Sequence, residues 1–98
     1  MIEVYTTDVF DSWFARLKDP QGKARIQARI DRLELGNYGN AKSLGDGISE
    51  LRIHSGPGYR VYFTQRASIV VILLVGGDKS SQARDIQRAR KMARELED

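Results

Sequence analysis

Cysteine is absent from the 98 residues, proline occurs twice and histidine once. The lack of cysteine excludes disulfides, thiolate metal sites and a thiol nucleophile, and it suits a cytosolic home. One histidine among scattered carboxylates makes no convincing ligand set, so neither a metal nor another cofactor is expected. The longest apolar run, Ile69 to Val75, falls far short of the roughly 20 residues of a membrane span and reads as a buried central strand. The opening residues Met1-Ile2-Glu3-Val4-Tyr5 contain no basic segment followed by an apolar stretch. No signal peptide is therefore expected, and the cytoplasm is the expected location. Linkers, repeats and low-complexity tracts are also missing.

A chain of 98 residues has room for one core, so residues 1–98 are expected to form a single domain. The formal charge of +3 and pI near 9.4 favour a polyanionic partner modestly. Alternation at Ile2 to Tyr5 predicts a short first strand. Thr6-Thr7-Asp8 supplies a helix start, and Val9, Phe10, Trp13, Phe14 and Leu17 follow on one face, expected to pack into the core. Asp19-Pro20 opens a second helix with a buried stripe of Ile26, Ile30 and Leu33, and Gly36 closes it. Residues 37–47 read as a glycine- and asparagine-rich loop. A hairpin, the apolar strand and a last helix follow. Ser80 or Ser81 is expected to cap that helix, with Ile86, Ala89, Ala93 and Leu96 on its apolar stripe.

The predicted order is strand, helix, helix, strand, strand, strand, helix. This is an α+β fold: a mainly antiparallel four-stranded sheet with the two early helices on one face and a C-terminal helix.

The hairpin ISELRIHSGPGYRVYF, Ile48 to Phe63, carries most of the chemistry. A turn at Gly56-Pro57-Gly58 predicts Ile53 opposite Val61 and Leu51 opposite Phe63. The same register sets His54 opposite Arg60 and Arg52 opposite Tyr62, on the face away from the helices. A one-residue slip would bury charge. Lys79 joins this patch if the strand order brings the exit of the next strand alongside. Glu50 shares the face, so an internal salt-bridge network is one reading.

The other reading is phosphodiester chemistry on RNA. Arginine grips phosphate oxygens at two points and stays charged as negative charge develops in the transition state. The 2′-hydroxyl of RNA is the nucleophile and needs only a base and an acid. His54 suits one of those roles, with Glu50 or Tyr62 available for the other. Arg25, Arg29 and Arg32 on the second helix, and Arg84, Arg88 and Lys91 on the last, form basic stripes able to track phosphates of RNA or the ribosome. Solvated helix faces look the same in a sequence.

The stretch ELRIHSGPGYRVYF, followed by an apolar strand and LLVGGDKSSQARDIQRAR, resembles the RelE/ParE toxin superfamily. Within it, the chain is most similar to the HigB-like, phage-related addiction-module killer proteins. The likeness spans essentially the whole chain, with YRVYF and GGDKSSQARDI its specific part. It implies a RelE-like fold and the toxin of a bacterial type II toxin–antitoxin pair, one that enters the ribosome and cuts mRNA without metal. It also implies a cognate antitoxin, a helix-turn-helix HigA-like protein encoded alongside. In that resemblance Arg60 holds the scissile phosphate, Lys79 is the basic residue after the last strand, and Arg52 and His54 fall at positions of varied basic or imidazole groups. The sequence departs from some nuclease members in having Asp85 where they carry a tyrosine. The ParE branch shares the fold and inhibits DNA gyrase without cutting RNA. No self-complementary apolar patch is evident, so the free protein is expected to be a monomer.

Overall fold

The computed structural model describes residues 1–96; the last two residues of the expected domain, Glu97 and Asp98, lie outside them. The chain begins with a short strand, β1 (Glu3–Thr6), and passes into α1 (Asp8–Arg16). Thr7 is the cap, its hydroxyl accepting from the Phe10 amide at 3.1 Å. Helix α2 (Pro20–Glu34) starts in the same way, with Asp19 accepting from the Gly22 amide at 3.0 Å and Pro20 in the first turn. It stops where Gly36 takes a φ of 85°, a left-handed conformation that costs glycine little.

Four more strands follow: β2 (Lys42–Gly45), β3 (Ile48–Ile53), β4 (Tyr59–Arg66) and β5 (Val70–Gly77). A 3₁₀ turn at Lys79–Ser81 then leads into α3 (Gln82–Glu95). The sheet order is β1-β5-β4-β3-β2. β1 runs parallel to β5 and the other pairs are antiparallel. The sheet is thus five-stranded and mixed, where four mainly antiparallel strands were expected. The added strand is β2, which lies inside the segment read as a loop. It is a polar edge strand, with Lys42 and Ser43 exposed and a bulge between Ser43 and Gly45, so it lacks the apolar alternation that marks a half-buried strand.

Helices α1 and α2 cover one face. Phe10, Ile26, Ile30 and Leu33 meet Leu51, Ile53, Tyr59, Val61, Phe63, Val71 and Leu73 there, with Trp13 and Phe14 half-buried against them. Helix α3 covers the opposite face, where Ala89 and Ala93 pack on Ile48, Tyr62, Leu74 and Val75. The face expected to lie away from the helices is therefore roofed by α3. Leu96, expected on the buried stripe, is exposed, and Asp85 is buried instead. Asp78 provides the cap at this end rather than Ser80 or Ser81. Its carboxylate accepts from the Ser80 amide at 2.8 Å, whereas Ser81 makes no side-chain cap to α3.

The hairpin register differs from the expected one by two residues: Ile53 pairs with Tyr59, Arg52 with Arg60, Leu51 with Val61 and Glu50 with Tyr62. A two-residue shift keeps every side chain on its original face, so the apolar pattern does not distinguish the two registers. No helix among the described residues is long and apolar enough to cross a membrane.

Candidate functional site

Strands β3 and β4 each send alternate residues toward α3. The register puts Arg52 directly across from Arg60 and Glu50 across from Tyr62, so four polar side chains converge beneath one helix. Glu50 is at the centre, with no solvent exposure. One carboxylate oxygen accepts from Arg52 Nε at 2.9 Å. The other accepts from Gln82 Nε2, on the first turn of α3, at 2.8 Å and lies 3.7 Å from Arg60 Nε.

This is the ion network that the sequence left as one of two readings. The carboxylate sits between the two guanidiniums and cancels one of their charges. Burial pushes Glu50 toward the protonated form. The hydrogen bonds from Arg52 and Gln82, the nearby Tyr62 and the charge of Arg60 outweigh that push, and hold the carboxyl below its ordinary value.

The two arginines differ in access. The Arg52 side chain is 41% exposed and that of Arg60 only 12%. Arg60 Nε and Nη1 are buried without a hydrogen-bond partner among the described residues, so the guanidinium keeps donors that its surroundings do not satisfy. The Tyr62 hydroxyl is likewise buried and unpartnered. Burial raises the phenol above its ordinary value, and the negative Glu50 adds to the effect. Tyr62 is enclosed between sheet and helix and presents no surface to a macromolecular substrate.

Lys79 is exposed and stands near the hairpin: a methyl placed on Gly58 would lie 3.6 Å from Lys79 Cβ. The order of β5 next to β4 brings this about, since Gly77 pairs with Arg60 and Lys79 follows two residues later. Asp78, between them, is held below its ordinary value first by the Ser80 hydroxyl, and its burial is offset further by the Ser80 and Ser81 amides and by Arg60.

His54 lies beyond the end of β3, not opposite Arg60 as the expected register had it. Its ring Nε2 is 3.3 Å from Asn40 Nδ2. With Arg25, Arg29, Arg32 and Ile53 it lines a shallow cavity of about 310 Å³ on the α2 side. Arg29 is committed to structure there, donating to the Arg52 carbonyl at 2.7 Å and to Asn40. Arg25 and Arg32 are exposed. On α3, Arg84 and Arg88 face a cleft toward α1, while Lys91 is exposed elsewhere on the helix.

Sequence reading did not find Gln82 or Asn40. Each acts through one hydrogen bond across elements far apart in the chain, and nothing in local spacing signals such a contact.

Residues 12–96 match the family described as Phage derived protein Gp49-like (DUF891), a family linked to addiction-module toxins. An uncharacterized protein of Haemophilus influenzae (strain ATCC 51907 / DSM 11121 / KW20 / Rd) is 54% identical over 95 residues, covering 97% of this chain and 96% of that protein.

Proposed function

The chain belongs to the phage-derived Gp49-like family, and on that premise we propose that it is the toxin of a type II toxin–antitoxin pair, cutting mRNA on the ribosome without metal. One observation carries the catalytic part of this reading: Arg52 and Arg60 stand opposite one another on one face, steadied by a single carboxylate, with Arg60 retaining unsatisfied donors. A guanidinium with spare donors keeps its positive field for an anion bound nearby, and a phosphate is the partner that the more exposed Arg52 fork fits best.

In this mechanism Arg52 and Lys79, both reachable from solvent, bind the phosphate next to the scissile bond. Arg60 stands behind them and adds its field as charge builds on the phosphorane oxygens. The 2′-hydroxyl attacks phosphorus, its proton passes to a base, and the 5′-oxygen leaves with a proton from an acid. His54 serves one of these transfers. Glu50, sealed from solvent, orients the guanidiniums and carries no proton in the reaction. The cognate antitoxin, a small helix-turn-helix protein encoded alongside, is expected to co-purify with the chain.

Mapping transcript ends after brief expression tests the reading. Wild type is expected to leave new ends within translated messages. Arg52→Ala and Lys79→Ala are expected to slow cleavage about 10²–10³-fold each, with thermal melts recorded alongside because Arg52 also bonds the buried Glu50. Cleavage by both variants at the wild-type rate would overturn the mechanism.

A second reading is a toxin that binds DNA gyrase without cutting RNA. The neutralising position of Glu50 between the arginines favours it, because it lowers the charge available to phosphate. Intact transcripts together with collapsed plasmid supercoiling would decide for this alternative.

A further inference from the structure

A cleft of about 620 Å³ lies between α1 and α3 where β5 ends. Arg16 lines it from α1, Arg84 and Arg88 from α3, and Trp13 with the Gly76–Gly77 backbone between them. We propose that this cleft holds a short stretch of single-stranded RNA, its phosphates on the three arginines and a base against the Trp13 indole. The proposal rests on the RNA reading above for the identity of its ligand and adds a second binding site to it.

Four observations converge on this occupant. First, Arg16, Arg84 and Arg88 form no ion pair among the described residues, whereas Arg52, Arg60 and Arg90 do. Three exposed guanidiniums around one concavity are free to bind an anion that enters it. Second, two of the three carboxylates at the cleft already accept hydrogen bonds from neighbouring serines. Asp85 is buried and accepts from the Ser81 hydroxyl at 2.5 Å, and Asp78 accepts from Ser80. Asp8, on the first turn of α1, is the exposed one.

Third, Trp13 is half-buried and lines the cavity, one part of its ring lying so close to Gly76 that a methyl there would overlap it. An indole held in place beside guanidiniums suits the packing of an unpaired base, which every nucleotide of a single strand can present. Fourth, the cleft opens beside the proposed phosphate grip. Gly77 is both a lining residue and the β-partner of Arg60, and Lys79 follows two residues on. A strand held at Lys79 is therefore next to the residues that line the cleft. An acidic peptide would answer the arginines but has no need of the indole.

Trp13 is the protein's one tryptophan, so its fluorescence reports on this cleft. Titration of the whole chain with a short unstructured RNA at low salt is expected to change the emission saturably. Arg84→Glu/Arg88→Glu is expected to weaken that binding at least about tenfold. It should also lower the slope of log affinity against log salt by about 1.4, at roughly 0.7 per lost single-strand phosphate contact. Asp8→Asn is expected to strengthen it. Lys42→Glu/Arg94→Glu, at exposed positions outside the cleft, is expected to leave the Trp13 response unchanged.

RNA binding with no change at Trp13, or an equal loss in both double variants, would overturn the assignment. An equal response to poly-glutamate would do the same, because the cleft would then select charge and not nucleic acid. These readouts need no ribosome and no cleavage. A failed transcript-mapping experiment and a failed titration are thus separate results.

Discussion

Glu50 remains ionised in the interior because four partners face it, and the arrangement makes its removal unequal to the removal of any one partner. Truncation to alanine strands Arg60 in the protein with its carboxylate gone, a change that typically costs about 3–5 kcal/mol. Glu50→Ala is therefore expected to shift the urea midpoint far to the left or to abolish folding. Tyr62 should behave in the opposite way. Its hydroxyl has no well-formed hydrogen bond among the described residues and only assists Arg52 and Gln82 at the Glu50 carboxylate, so Tyr62→Phe removes little and keeps the ring that packs under Ala89 and Ala93. That variant is expected to lie within about 1 kcal/mol of wild type at neutral pH. A large loss, read from the same urea curves, would mean that the phenol holds a full structural hydrogen bond to Glu50.

Two glycines at the end of β5 set how closely the helices approach the sheet. A methyl at Gly77 would overlap the Asp85 carboxylate and lie 2.8 Å from Ser81 Oγ, and one at Gly76 would overlap the Trp13 ring. Gly77→Ala is expected to destabilise the chain by about 1–3 kcal/mol, because both obstructing groups belong to the packed start of α3. Thermal melts of Gly77→Ala and wild type measure it; equal midpoints would show that α3 moves aside without cost. Neither contact is visible in the sequence, where Gly76-Gly77 reads only as the exit from an apolar strand. What the sequence does carry at this scale is local. Thr7 and Asp19 cap, Gly36 stops a helix, and the alternation from Ile48 to Phe63 puts Arg52, Arg60 and Glu50 on one face. The pattern leaves open any choice that preserves facing, hence the two-residue difference in register and the displacement of His54 from Arg60. It also leaves open which layer a helix joins, so the polar face of the hairpin proved to be roofed by α3. β2 escaped notice because a four-residue edge strand with a single half-buried side chain, Leu44, has no alternation to write into its residues.

For the molecule as a whole, ionisation sets limits to stability on both sides of neutrality. Glu50, Asp19 and Asp78 all have folded pKa values below their ordinary ones. Burial is overcome at Glu50 by the Arg52 and Gln82 bonds, Asp19 is held chiefly by the Gly22 amide, and Asp78 chiefly by the Ser80 hydroxyl. A group lowered on folding contributes stability above its unfolded value, 4.5 for Glu50, and loses it as pH falls through the folded value. Tyr59 and Tyr62 are raised, first by burial and then by Asp19 and Glu50 respectively. A raised phenol contributes nothing to pH dependence below its unfolded value of 10.0, and costs stability as pH climbs beyond it. Melting temperature against pH is therefore expected to be flat through neutrality, to fall below the carboxylate range and to fall again in alkali. Glu50→Gln, if it folds, should flatten the acid limb because it has no proton to take up. Tyr62→Phe should flatten the alkaline limb and move the acid one less than Glu50→Gln does, because the phenol is only one of the groups that hold Glu50 ionised. The two limbs thus test two different parts of one buried cluster, and an alkaline limb unchanged in Tyr62→Phe would place the titrating group outside the space between the sheet and α3.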